Sequence, residues 1–116
     1  FPFMAPEVLL ATSDRPYEPA AVDVWSSAVL LLEMVCVLFA FSRMLGWDRT
    51  TRASPQRAID IARHFADGGA IVRMLTVHFG RVDLDLEKLL SGMLAIDTGR
   101  RWSAKRVERS HWFKPG

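Results

Sequence analysis

The sequence predicts an all-α fold in one domain, and three observations carry this prediction. Half of the 116 residues are apolar and 24% are charged, a balance typical of a folded chain with a core. From Val24 to Phe41 the chain is almost wholly apolar. Further along, five apolar residues recur at the i, i+3, i+4, i+7, i+8 spacing of one helix face: Leu86, Leu89, Leu90, Met93 and Leu94. A chain of this length has room for one core.

The first half of the chain divides into two expected helices and two loops. Pro6 and Glu7 suit the first turn of a short helix over residues 6–11, because proline fits the first helical position and an acid favours the N-terminus. Two prolines with Ser, Thr and Asp make residues 12–19 a loop. The apolar run predicts a long helix over residues 20–41. Residues 42–53, with three arginines and Gly46, are expected to form an exposed loop.

The second half is expected to hold the remaining helices. Ser54 and Pro55 are typical of a helix start, and that helix is expected to run to Ala66. An amphipathic stretch over residues 70–79 should stop at Gly80. Acidic residues open the next helix at residues 82–85, and residues 97–99 form a turn. Ser103 is expected to cap a last short helix through Arg109.

The apolar run leaves an alternative open, because a helix that is apolar on all sides lies either inside a protein or in lipid. Its 18 residues are near the minimum that spans a bilayer. Glu33 falls in its middle, at a cost in hydrocarbon of roughly 3 kcal/mol on insertion scales, and Ser26 and Ser27 interrupt its first half. A central buried helix is therefore favoured over a single membrane span.

Charge and cysteine content exclude several classes of function. Fifteen basic and 13 acidic residues give a net charge of +2, too small to indicate nucleic acid or an anionic membrane as partner. The basic residues are scattered in sequence, which is typical of a solvated surface. The single cysteine, Cys36, excludes an internal disulfide and favours a reducing compartment. The three histidines are too far apart for local metal-ligand spacing, so no metal site is expected.

Three separated motifs indicate a family. Met4-Ala5-Pro6-Glu7 is followed by Asp23-Val24-Trp25-Ser26, and the segment 89–97 then leads to Arg101 and His111-Trp112-Phe113. In this order the chain resembles the helical C-terminal lobe of a eukaryotic-type protein kinase, from the end of the activation segment to the end of the domain. The resemblance covers nearly the whole chain. Only a general helical match holds over residues 43–80.

The resemblance implies roles for particular residues. Glu7 and Arg101 would form a buried ion pair, with Arg100 as a rival to Arg101. Asp23 would accept hydrogen bonds from backbone N–H groups of the catalytic loop, and Trp25 belongs to the same motif. The residues before the first motif would be the tail of the loop that contacts the substrate residue after the phosphorylated one: Phe1, Pro2, Phe3 and Met4. This tail resembles the serine/threonine class more than the tyrosine class.

The implied function is transfer of the γ-phosphoryl group of ATP, with Mg²⁺, to a serine or threonine of a protein substrate inside the cell. In the family, the Gly-rich loop, the strand lysine, the catalytic aspartate and the Mg²⁺ ligands precede the first motif. Residues 1–116, which open on Phe1, are therefore expected to be part of a kinase domain, without its N-terminal lobe and catalytic loop and without catalytic or cofactor-binding residues. Alone, they are predicted to be inactive and to be oligomeric or molten, because the missing part of the domain would cover the apolar helix.

Departures from the family pattern keep other classes open. Ala28, Val37 and Ala40 stand where glycine or proline is common in kinases. The alternatives are a pseudokinase or scaffold that only binds partners, a single-span membrane protein, and a helical interaction domain with coincidental motifs.

Overall fold

The computed structural model describes residues 3–12, 16–36, 40–66, 68–80 and 83–113. Within these ranges the chain is helical and contains no β-strand, apart from an isolated bridge residue at Thr12. The α-helices are α1 (Pro6–Leu9), α2 (Pro19–Val35), α3 (Ala40–Leu45), α4 (Pro55–His64), α5 (Ala70–Met74), α6 (Leu84–Met93) and α7 (Ala104–Glu108). A π-helix at Leu75–Phe79 extends α5, and a 3₁₀ helix at His111–Phe113 follows α7.

Helix starts follow the predicted capping chemistry only in part, because the expected cap at Ser54 is wrong: its side chain accepts no hydrogen bond at the start of α4. The Asp83 carboxylate accepts hydrogen bonds from the backbone N–H groups of Asp85 and Leu86, at 3.0 and 3.1 Å, and so satisfies two N–H groups that α6 leaves free. The Ser103 hydroxyl accepts from the Arg106 N–H at the start of α7. The predicted apolar face of α6 is confirmed, since all five of its residues are buried.

The expected loop over residues 42–53 is wrong in its first part. Helix α3 continues to Leu45 and ends where Gly46 takes a positive φ of 75°. Trp47 then turns into the core and is 8% exposed. The arginines and the glycine favoured a loop, but the apolar side chains of Phe41 and Trp47 decide the local structure by packing.

The long apolar helix is shorter and more amphipathic than predicted. Helix α2 ends at Val35, and Val37 of the predicted stretch lies outside the described residues. One face of α2 is buried, through Val24, Trp25, Ala28, Val29 and Leu32. On the other face Leu30 is 52% and Met34 is 74% exposed. Across the described ranges, every helix falls short of the length and apolar character that crossing a bilayer requires.

An aromatic cluster holds α2, α3 and α4 together. Trp25 meets Phe41 and Phe65 edge to face, with ring centroids 6.2 and 6.5 Å apart. Phe41 also meets Trp47, at 6.0 Å, and stacks on Phe65, at 6.4 Å. Aromatic pairs at these separations contribute about 0.5–1.5 kcal/mol each beyond their buried area. Helix α2 also packs against α6, and α1 packs against α4.

Candidate functional site

A tight turn after α6 decides which of two adjacent arginines enters the core. The Asp97 carbonyl accepts from the N–H groups of Arg100 and Arg101, at 3.0 Å each. The Asp97 carboxylate accepts from the Gly99 N–H at 2.9 Å. As a result the Arg101 side chain is fully buried, whereas the Arg100 side chain is 87% exposed and lies 4.0 Å from Asp97.

The buried guanidinium of Arg101 forms a two-pronged ion pair with Glu7, 94 positions earlier in the chain. Its Nη1 and Nη2 donate to the two carboxylate oxygens of Glu7, at 2.5 and 2.9 Å. The Glu7 side chain retains 18% exposure. The planar fork of arginine fits a carboxylate in this way, and lysine does not. The pair connects α1 to the turn that follows α6.

Backbone carbonyls satisfy the remaining N–H groups of Arg101. Nε donates to Ala95 at 2.9 Å, Nη1 to Ala21 at 3.0 Å, and Nη2 to Ile96 at 3.4 Å. With the two bonds to Glu7, these contacts account for the five N–H donors that a guanidinium has. The guanidinium carbon also lies 5.1 Å from the centre of the Trp25 ring. We call this arrangement of Arg101, Glu7, Ala21, Ala95 and Ile96 the ionic tether.

Asp23 and Trp25 lie on α2 beside the ionic tether, but they face different surroundings. Asp23 is exposed, and no described residue donates a hydrogen bond to its carboxylate. Asp23 lines a surface cavity of about 360 Å³ between α2 and α7, together with Val107 and Glu108. Trp25 is fully buried, and its indole N–H has no acceptor among the described residues.

The predicted substrate-loop tail is only partly described. Phe1 and Pro2 lie outside the described residues. Phe3 is 40% exposed, and Met4 is half-buried. The Ser26 hydroxyl of α2 donates to the Phe3 carbonyl at 2.8 Å and fixes this segment on the helix. The anchoring role of Ser26 was missed in the sequence, where its hydroxyl only marked a motif and an interruption of the apolar run.

A second feature that the sequence did not reveal lies at the junction of α6 and α7. Gly92 lacks a side chain where the Trp102 indole packs, and a Cβ there would lie 2.2–2.4 Å from the ring atoms. The Gly92 carbonyl accepts from the Trp102 N–H at 2.9 Å. The guanidinium of Arg106 covers the same indole, 4.5 Å from the ring centre. A glycine inside an otherwise apolar helix was the available signal for this close approach.

The site is therefore a scaffold centred on a buried cation. It fixes the segment around Phe3 and Met4 on α2, and it leaves the Asp23 carboxylate exposed as a hydrogen-bond acceptor. Within the described ranges no three His, Cys, Asp or Glu side chains gather as ligands of a metal ion would.

A comparison with known protein families identifies the family in which this arrangement is found. The family model described as Protein kinase domain matches residues 1–113. The matched range includes Glu7 and Arg101, the ion pair of the ionic tether. It also spans residues 43–80, where the motifs alone gave only a general helical resemblance. The helical architecture agrees with the C-terminal lobe of the kinase fold.

Proposed function

Because the chain belongs to the protein kinase domain family, we propose that it forms the C-terminal lobe of a serine/threonine protein kinase. In that reaction a substrate hydroxyl oxygen attacks the γ-phosphorus of ATP, the bond from that phosphorus to the bridging oxygen of ADP breaks, and the hydroxyl proton is released. The family order of motifs assigns ATP and Mg²⁺ to the part of the domain that precedes Met4-Ala5-Pro6-Glu7. Residues 1–116 would supply scaffold and substrate contacts in an intracellular enzyme.

The observation that carries this proposal is the ionic tether. A kinase must hold the end of its activation segment in a defined position while a protein substrate docks against it. Arg101 supports such a role, because it holds the carboxylate of Glu7 with both prongs and α2 through the Ala21 carbonyl. The neighbouring segment, with Phe3 and Met4, would contact the substrate residue after the phosphorylated one.

Asp23 would act in the same scaffold as a positioning residue. Its exposed carboxylate can accept hydrogen bonds from backbone N–H groups of a catalytic loop.

The exposed apolar side of α2, with Leu30 and Met34, is a surface that the preceding part of the domain would cover. Residues 1–116 alone should therefore associate or lack fixed packing.

The proposal is tested by phosphotransfer in the full-length protein that contains this chain. We expect label from the γ-phosphoryl group of ATP to appear on serine and threonine of a protein substrate and not on tyrosine. Residues 1–116 alone should transfer none. ATP-dependent transfer to tyrosine would refute the serine/threonine assignment, and a full-length protein without transfer would favour the pseudokinase or scaffold alternative.

A separate variant tests the role of the ionic tether in substrate phosphorylation. Glu7→Gln in the full-length protein should lower kcat/KM for a protein substrate by tenfold or more, since an anchored activation segment is part of substrate docking. Arg100→Gln changes an exposed arginine one residue from Arg101 and should have little effect. Equal losses in the two variants would contradict the assigned role.

A further inference from the structure

A groove on the face that α6, α7 and the 3₁₀ helix share has no part in the proposed scaffold. Its volume is about 210 Å³. We call it the cationic groove, and its lining residues are Asp85, Lys88, Trp102, Arg106, Arg109, Ser110 and His111. The side chains that line it come from three elements separated by up to 26 positions, so the fold assembles the groove and no single sequence motif does.

Positive charge is concentrated in the cationic groove. Lys88, Arg106 and Arg109 line the groove together with one acidic residue, Asp85, so the lining residues carry a formal net charge of +2 with histidine neutral. This equals the net charge of all 116 residues. Within the described ranges no carboxylate oxygen lies within 4.0 Å of the side-chain nitrogens of these three cations. All three side chains are exposed, so an anion can reach them.

Arg106 is held in place for binding. Its guanidinium lies over the Trp102 indole, which Gly92 supports from the α6 side. Stacking of this kind holds a guanidinium through its face and leaves the N–H groups at its edge free to bind oxygen atoms. Arg109 follows as the C-cap residue of the same helix, and Ser110 also lines the groove. This combination of two guanidinium groups and an ammonium group suits the oxygens of a phosphate group.

The number of cations limits the size of the ligand. Proteins that bind duplex DNA through its backbone neutralise about 6–10 phosphates, and segments that bind acidic lipids carry about 4–8 Lys and Arg residues. Three cations around one concavity match a single dianion. A phosphomonoester carries a charge of about −1.5 to −2 near neutral pH and offers three acceptor oxygens.

We propose that the cationic groove binds a phosphorylated side chain of a polypeptide. The site itself rests on its geometry and charge. The choice of a polypeptide as carrier of the phosphate rests on the proposed function, since phosphorylated side chains are the product of a protein kinase. The groove would then retain a phosphorylated segment.

The test is binding to the purified full-length protein that contains this chain, without ATP, so that its outcome is independent of phosphotransfer. The probes are a fluorescein-labelled alanine- and glycine-rich peptide with one central phosphoserine, its unphosphorylated twin, and inorganic phosphate as competitor. We expect the phosphopeptide to bind at least about tenfold tighter than its twin, as hydrogen bonds to charged groups imply. Lys88→Gln and Arg109→Gln should each weaken phosphopeptide binding by about tenfold.

Arg100→Gln is the matched control, because it removes one exposed arginine outside the cationic groove, and it should leave binding unchanged. Circular dichroism melting should confirm that all three variants remain folded. In the full-length protein, Lys88→Gln and Arg109→Gln should keep phosphotransfer to a short unphosphorylated peptide. Equal binding of the twin peptide, or equal loss in Arg100→Gln, would overturn the proposal. Inorganic phosphate that binds as tightly as the phosphopeptide would overturn the polypeptide as the ligand.

Discussion

The ionic tether and the aromatic cluster hold neighbouring parts of one core in different ways. In the ionic tether a single buried cation depends on one carboxylate and three carbonyls, so that its stability is concentrated in a few polar contacts. In the aromatic cluster four rings share edge-to-face and stacked contacts, with no charge removed from water. Loss of one polar partner should therefore greatly destabilise the ionic tether, whereas the aromatic cluster should tolerate small changes in its side chains.

The largest loss of unfolding free energy is expected at the ionic tether. Glu7→Gln leaves the guanidinium of Arg101 buried without its counter-charge, and removing one partner of a buried pair costs about 3–5 kcal/mol. Urea denaturation of the purified full-length protein that contains this chain measures this as a lower midpoint at unchanged slope. An effect below about 1 kcal/mol, typical of surface pairs, would show that the ion pair is not buried in solution.

A double-mutant cycle sharpens this prediction. Arg101→Met removes the charge and retains apolar volume, so Glu7→Gln in that background should cost much less than in the natural sequence. In a control cycle that combines Glu7→Gln with Arg100→Gln, the two losses of stability should add, because the Arg100 side chain lies in solvent. Additive effects for Glu7 and Arg101 would mean that the two residues stabilise the fold independently.

The contact between Gly92 and Trp102 is a packing constraint next to the ionic tether, and it should give the next largest effect. In Gly92→Ala the new Cβ would overlap the indole, whose nearest atoms lie 2.2–2.4 Å away. Overpacking of this kind costs about 1–3 kcal/mol. The unfolding free energy from urea denaturation is again the measurement.

Trp102→Ala provides the control for Gly92→Ala. Without the indole, alanine at position 92 should be neutral or stabilising, because glycine inside a helix costs about 1 kcal/mol relative to alanine. If Gly92→Ala destabilises equally in both backgrounds, the indole is not the cause.

Much of the ionic tether could be predicted from the sequence, and much of the aromatic cluster could not. Glu7 and Arg101 belong to motifs in a fixed order, so their resemblance to a family placed them together although they are 94 positions apart. The buried face of α6 followed from the period of its leucines. In both cases the information lies in residue type and spacing.

The aromatic cluster and the cationic groove depend on tertiary contacts that spacing does not encode. Trp47 lies in a segment rich in arginine, and only its contact with Phe41 explains its burial. The scattered basic residues indicated a solvated surface, yet the fold brings Lys88, Arg106 and Arg109 to one groove. Local composition describes single segments, and these sites arise where segments meet.

Two helix starts with different caps should give a smaller effect. The Asp83 side chain accepts two backbone N–H groups at α6, whereas the Ser54 side chain accepts none at α4. Asp83→Ala should therefore lower the unfolding free energy by about 1 kcal/mol, and Ser54→Ala should change it by less than about 0.5 kcal/mol. Thermal unfolding of both variants measures the difference. Equal losses would show that the observed cap hydrogen bonds do not set helix stability.

The smallest effect is expected where the aromatic cluster ends in a polar contact. The Trp47 indole N–H donates to the Asp60 carboxylate at 3.0 Å. Burial raises the pKa of Asp60, but hydrogen bonds from Trp47 and Gln56 and the charge of Arg57 outweigh it and hold that pKa below its usual value. A carboxyl group with a lowered pKa stabilises the fold above its unfolded pKa, near 3.9, and this contribution is lost as the pH falls through the folded pKa.

Trp47→Phe keeps an aromatic ring beside Phe41 and removes only the indole N–H. We expect a loss of about 0.5 kcal/mol at pH 7 and a weaker dependence of stability on pH below about pH 5, because the pKa of Asp60 then returns toward its usual value. Urea denaturation across this pH range tests both expectations. Trp112→Phe is the control, since the indole of Trp112 donates to no described residue and its removal should leave the pH dependence unchanged. If both variants flatten the pH dependence equally, the hydrogen bond from Trp47 is not what lowers the pKa of Asp60, and the aromatic cluster stabilises the fold through packing alone.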